Sequence, residues 1–383
     1  MQNKLQEITG RDERKVEYLE LIYDLIFVYI VGRNNSLLHH IVDGFIPVGN
    51  FLGYVLGSLA VIQIWTFSTF YINRYGRNGL RDHIFLFINM YLMYYMADAT
   101  SVRWEKSFYR YCAAWALILL NIGIQYFIEL RNHKNAPSET RQIRISGCIL
   151  LAEAALVVVH MVIFRFSGRT AAYLPILFGL AATMVYGQSD NLTPVDFAHL
   201  TERAMLYVVF TFGEMIIAIA DYFTGEFSFI TVYFSAMAFL IVSGLFLSYG
   251  LVYNRVLDRE MVTTGTGYML LHIFLVFALN NITNALEFMP AEEVDLIPKT
   301  LFLTGSMVLY YVILFLLERY AKAPLKFSPR FRLLLLGTGL VFVVLMLLLR
   351  DAMYVNIALT VVFVYGISLM LHIFGNTLRR NKQ

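Results

Sequence analysis

Glu17, Glu20 and Asp24 stand three and four residues apart in VEYLELIYDLIFVYIVG, residues 16–32. In a helix that spacing puts all three carboxylates on one face. The rest of the stretch is largely apolar, so the helix is expected to lie in lipid. There a charged side chain near the bilayer centre costs about 2.5–3.5 kcal/mol on insertion scales. Glu17 and Glu20 fall within the first turns, where they can snorkel or meet interfacial water, and the helix dipole favours Glu17. Asp24 lies roughly midway along the segment, so it must be protonated, paired or turned to a wet cavity. A second stretch, HLTERAMLYVVFTFGEMIIAIA, repeats the arrangement, with Glu202 and Arg203 at its mouth and Glu214 inside. Arg203 and Glu214 share a face, but eleven residues of helical rise set them about 16 Å apart, too far to pair directly. Gly213 offers a place where another backbone can approach.

Two readings of these acids stand side by side. In the first, Asp24 and Glu214 face each other, line a polar site and carry a proton, with Glu20, Glu202 and Arg203 at its approaches; an ionisable residue inside a membrane segment is a functional-site hypothesis by default. In the second, each acid is structural and is neutralised by an Arg, Asn or Tyr from a neighbouring helix. Glu153 and His160 are seven residues apart, share a helix face, and are candidates for the same cavity. His272 and His83 occupy corresponding segments and fit either a proton relay or hydrogen-bonded packing. Asn73-Arg74 and Asn254-Arg255 fall at helix ends, where they are expected to cap carbonyls and anchor at head groups. Asn280, Asn281, Thr283 and Asn284 make one segment polar enough for interhelical hydrogen bonding or for lining a cavity.

Other chemistry has no sequence support. There is no phosphate-cradling glycine motif, no metal-spaced His/Cys set and no nucleophile elbow, so neither an enzyme nor a cofactor or metal site is expected. Cys112 and Cys148 lie in apolar segments and suggest neither a disulfide framework nor zinc. Basic residues cluster in loops, which suits anionic lipid rather than nucleic acid.

The elements that must position the acids are membrane helices. The chain has 383 residues, 58% of them hydrophobic and 15% charged, with a mean hydropathy of +0.62. A soluble domain is nearer half apolar and a quarter charged. Apolar runs recur near 15–32, 50–72, 83–99, 109–128, 146–164, 171–188, 203–222, 229–253, 266–288, 300–318, 332–349 and 353–375. These predict an all-α, polytopic membrane helix bundle of about twelve spans. The first 15 residues lack the apolar core of a cleavable signal peptide. On the side holding the N-terminus lie 22 of the 30 Lys and Arg residues. The positive-inside rule therefore places both termini in the cytoplasm, with Arg103, Lys106 and Arg110 as exceptions.

The chain also looks duplicated. YDLIF at 23–27 matches GEMII at 213–217, HIFL occurs at 83–86 and again at 272–275, and Asn73-Arg74 matches Asn254-Arg255. Glu129 matches Glu318, and Tyr186-Gly187 matches Tyr365-Gly366. The offsets run from 179 to 190 and keep a common order. Residues 1–190 and 191–383 are thus expected to be two six-helix repeats. Six spans is an even number, so both halves enter from the same side, the parallel repeat of many transporters.

RKVEYLELIYDLIFVYIV resembles the first-helix signature of the bacterial low temperature requirement protein A family through Leu19, Glu20, Leu21, Tyr23, Asp24, Leu25, Phe27 and Val28. Ile22 and Ile26 replace an aromatic and a Val. The second signature is matched by His199, Glu202, Arg203, Gly213 and Glu214, with Met215 where Ser is usual. TFYINRYG resembles the family's second-helix end. The resemblance implies a multispanning bacterial plasma-membrane protein linked to growth in the cold. A fainter likeness, to the endolysosomal potassium/proton channels, rests on the first helix, where YDLIF departs from their Phe-Ser-Asp motif. The leading expectation is a proton-linked secondary transporter of a small substrate. The alternatives are an ion channel lined by spans 1 and 7, with Ile26 at a constriction, a lipid-interacting or lipid-modifying membrane protein, and a structural or sensory one. Expected partners are membrane lipids and a proton or small molecule, and homo-oligomerisation stays open.

Overall fold

A computed structural model describes residues 15–100, 104–133, 136–187, 192–223 and 228–380. Of the basic residues used for orientation, Lys4, Arg11, Arg14, Arg103, Lys134 and Lys382 lie outside them. Among the described residues there are twelve α-helices and no strand longer than an isolated bridge. They are α1 (Tyr18–Asn35), α2 (Val48–Tyr75), α3 (Leu80–Ala99), α4 (Trp104–Glu129), α5 (Pro137–Ser167) and α6 (Tyr173–Gly187). The second half of the chain adds α7 (Phe197–Ala218), α8 (Phe229–Leu251), α9 (Thr266–Phe288), α10 (Leu296–Leu316), α11 (Pro329–Leu348) and α12 (Met353–Arg380).

Each helix coincides with one expected span, and eight are long and apolar enough to cross a bilayer. The other four are α1, α3, α6 and α7. Helix α6 has 15 residues, and α1 and α7 each carry three charges. Two of these four, α1 and α7, are the helices that hold Glu20, Asp24, Glu202 and Glu214. The helix ends differ from expectation for local reasons. Helix α5 starts nine residues early because Pro137 preorganises its first turn. It stops at Gly168, whose φ of +65° is the left-handed conformation a glycine tolerates. Helix α7 starts at Phe197 because Asp196 Oδ1 accepts the His199 N–H at 3.0 Å, an N-cap bond. Arg203 is therefore well inside α7 rather than at its mouth.

The described residues form two compact units. The first holds those within Met1–His40, Pro47–Tyr207 and Glu260–Ile273; the second holds those within Ile41–Ile46, Val208–Arg259 and Phe274–Gln383. These limits follow spatial contact and differ from the repeat limits, which concern duplication. In the first unit α4 packs closely on α5, where a Cβ on Gly147 would press on the Phe127 ring. Small residues at such crossings let helices approach in lipid. At one end of this unit the buried Glu129 holds Arg77 at 3.1 Å and Arg81 at 2.8 Å. In the second unit α8 packs on α12, with Ser368 Oγ donating to Gly244 O at 3.2 Å. Lys299 Nζ donates to Met289 O at 3.2 Å and Ala291 O at 3.1 Å beyond the end of α9.

Candidate functional site

Glu20 and Asp24 share a face of α1 as expected, whereas Glu17 is the extended residue just before the helix; the partners of the two acids lie in the first unit. Asp24 and Glu20 are both buried. Arg203 of α7 donates Nη2 to Asp24 Oδ1 at 2.9 Å and Nε to Asp24 Oδ2 at 3.3 Å, while Nη1 reaches Glu20 Oε2 at 3.1 Å. A planar guanidinium spans two carboxylates this way, and lysine cannot reproduce the fork. Trp65 of α2 donates Nε1 to Asp24 Oδ1 at 2.8 Å. The indole stacks on Tyr207, one helical turn after Arg203, with ring centroids 4.5 Å apart. Beside Asp24, Tyr23 continues a polar chain: its hydroxyl lies 2.8 Å from Ser68 Oγ and accepts from Asn89 Nδ2 at 3.3 Å. Asn121 Nδ2 then donates to Asn89 Oδ1 at 2.8 Å.

The other carboxylate meets a histidine. Glu20 Oε1 is 3.4 Å from His199 Nε2. Asn73 at the end of α2 fixes the imidazole. Its Oδ1 accepts the Asp196 N–H at 3.1 Å, and its Nδ2 donates to Asp196 O at 2.9 Å. With the amide oriented by those two bonds, Nδ2 is also the atom 3.0 Å from His199 Nδ1. Nδ1 must accept there, so the network assigns the neutral tautomer with the ring proton on Nε2, toward Glu20.

Several expectations change. Glu20 does not snorkel; it is enclosed and paired. Asn73 does not cap its own helix; it orients His199 and the start of α7. Asn254 and Arg255 fall in a π-helical turn at Val252–Val256, and Arg255 Nη1 bonds Asn376 Oδ1 at 3.1 Å. Gly213 faces open space rather than a close backbone. Glu202 is half-buried beside Arg203. Glu214 is half-buried in the second unit. Glu153 is buried and accepts from Gln63 Nε2 at 3.3 Å. His160 on the same helix has different neighbours: its Nε2 lies 3.2 Å from Thr170 Oγ1 and its Nδ1 3.9 Å from Cys112 Sγ. His272 is buried, bonds the Tyr268 carbonyl at 2.9 Å and rests against that ring, as a packing histidine does. His83 likewise bonds the Gly79 carbonyl at 2.8 Å.

Trp65 was not a sequence candidate, and Asn73 was expected only as a helix-end cap. Their signal was faint: a Trp eight residues before the Asn-Arg that ends α2. Among the described residues no cluster of three or more His, Cys, Asp or Glu has the arrangement to hold a metal.

Eight helices long and apolar enough to cross a membrane, in a chain that is helical through most of its described residues, define a polytopic α-helical membrane protein, in which α1 and α7 hold a buried carboxylate–arginine–histidine network. The bacterial low temperature requirement A protein family (LtrA) matches residues 15–367, and the chain belongs to that family. No curated protein and no solved structure matches it significantly.

Proposed function

We propose that the protein is a proton-linked secondary transporter of a small substrate, not an enzyme, in the bacterial plasma membrane with both termini cytoplasmic. The observation that carries this reading is the Asn73–His199 hydrogen bond at the start of α7, with Glu20 Oε1 3.4 Å from the other ring nitrogen. If His199 takes up a proton, Nδ1 acquires an N–H that faces the amide N–H of Asn73. Relieving that clash requires Asn73 to turn its amide over. Turning it over breaks both bonds to Asp196, the residue that caps α7. Protonation is thereby tied to the N-terminal end of the helix carrying Arg203, and a transporter needs such a link between a proton and a helix position. The rival channel lined by α1 and α7 has less support, because it would need Asp24 on a wet surface, and Arg203 and Trp65 enclose that carboxylate. The matching of Glu129 with Glu318 favours duplication, since each accepts from arginine, Arg77 and Arg81 in one case and Arg332 in the other.

In proteoliposomes with an entrapped pH dye, the small-molecule fraction of a cell extract is expected to trigger proton movement by the wild-type protein. His199→Gln should abolish it while helicity and reconstitution yield stay unchanged. Wild-type proton movement by His199→Gln would remove the basis of the proposal. For topology, a reporter fused after Gln383 should read cytoplasmic and one inserted between Asn34 and Asp43 should read outside. The same side for both contradicts the assigned orientation.

A further inference from the structure

The first unit contains a second feature, separate from the ionisable cluster. A cavity of about 450 Å³ lies among α2, α4, α5 and α6. Its floor is shaped by what α2 lacks: Gly49, Gly53 and Gly57 recur at intervals of four, so all three lie along one helix face. Such a stripe usually lets another helix come close. Here a Cβ on Gly49 would meet nothing within 4 Å, and one on Gly53 would meet only Leu37 Cδ1 at 3.9 Å. Gly49 and Gly53 keep space open, whereas a Cβ on Gly57 would meet the Asn34 side chain at 3.3 Å.

No Lys, Arg, Asp or Glu lines the cavity. Its one histidine, His160, is engaged with Thr170 and Cys112. Trp115 also lines it, and the indole Nε1–H has no hydrogen-bond partner although the residue is only 1% exposed. Asn50 Nδ2, at the other end, is likewise buried without a partner. A buried donor left unsatisfied is disfavoured, and both of these belong to residues that border an otherwise apolar volume. By helical rise Trp115 sits about 16 Å along α4, roughly half the thickness of a bilayer core.

We infer that this cavity binds an uncharged, largely apolar molecule carrying carbonyl-type oxygen acceptors, a neutral lipophile of the ester or quinone kind. The volume suits a ligand of that size. The free donors select an acceptor, and the absence of lining charges selects against an anion or cation. Two sources share this chemistry, the membrane's own neutral lipids and free lipophilic small molecules.

The test uses the full-length protein in detergent, with a decyl-substituted benzoquinone as probe and binding measured by equilibrium dialysis against protein-free micelles. Saturable binding by the wild-type protein is expected. Gly53→Leu, which fills the cavity from an uncrowded position, should weaken it at least tenfold, and Trp115→Phe, which removes the donor but keeps an aromatic ring, should do the same. Decanoate, charged at neutral pH, should compete at least tenfold less well than the uncharged quinone. Mass spectrometry of the protein taken from membranes separates the sources: a neutral lipid retained by wild type and lost from Gly53→Leu identifies the bilayer as supplier, and quinone binding with no retained lipid identifies a free small molecule. Equal binding by wild type and both variants, or equal competition by decanoate, overturns the assignment. So does a wild-type protein that takes up no quinone beyond the micelle blank.

Discussion

Arg203→Met is expected to deplete the folded protein from the membrane. Arg203 is fully buried and grips Asp24 through two bonds and Glu20 through a third. Without it, two carboxylates remain side by side in the helix bundle. Removing one partner of a buried ion pair costs about 3–5 kcal/mol, a large part of the roughly 5–15 kcal/mol that holds a protein folded. Thermal unfolding of detergent-extracted protein, followed by size-exclusion chromatography, should show little or no folded Arg203→Met. Arg203→Lys should fall between, since a lysine keeps the charge but not the fork. Combining Arg203→Met with Glu20→Gln and Asp24→Asn removes all three charges and should restore much of the lost folded fraction. An Arg203→Met protein as stable as wild type would show that the carboxylates do not depend on the guanidinium.

Gly179→Leu is the second large effect. Gly179 of α6 lies against the Gln63–Glu153 hydrogen bond that joins α2 and α5. Even a Cβ there would overlap Gln63 Nε2 and Glu153 Oε2. A larger side chain must separate the pair and leave a buried carboxyl group without its donor. Overpacking and the unsatisfied group together are expected to cost about 2–5 kcal/mol. Gly305→Ala in α10, where a Cβ would meet nothing within 4 Å, serves as the control and should be neutral or slightly stabilising, because alanine is the better helix former. Equal thermal stability for the two variants would mean that α6 is free to move away from α2.

The fold was legible because lipid imposes a simple rule: every spanning segment must satisfy its own backbone, so apolar runs of the right length become helices. Twelve runs became twelve helices among the described residues. Boundaries were less legible where polar residues extend a helix beyond the hydrocarbon, as PSETRQIR does at the start of α5, or where a cap such as Asp196 begins one early. Of the site, the four-residue spacing of Glu20 and Asp24 correctly announced a face of α1 with buried acids, while Glu17 falls just before the helix. Their partner was also among the candidates, but its role was not. Arg203 was measured against Glu214, eleven residues away on its own helix, because spacing within a helix is all that sequence periodicity reports. Its real partner, Asp24, is 179 residues away. For the same reason Trp65 and Asn73 stayed hidden: an indole in an apolar run reads as packing, and an Asn at a helix end reads as a cap. Asp24 and Glu214, which the expected duplication would match, belong to different compact units and have different surroundings.

The central claim is that a proton on His199 and the orientation of Asn73 are one coupled event. Nitrogen-15 NMR of the histidine rings and asparagine side-chain amides, with the protein in lipid nanodiscs and His199→Gln and Asn73→Ala used for assignment, reads both at once as the pH is lowered. The starting spectrum should show the Nε2–H form that the bond from Asn73 selects. Any pH step that puts a second proton on the ring should shift the Asn73 amide signal with the same midpoint. A His199 ring that titrates while the Asn73 amide stays unchanged, or one that stays neutral until the protein unfolds, would contradict the account.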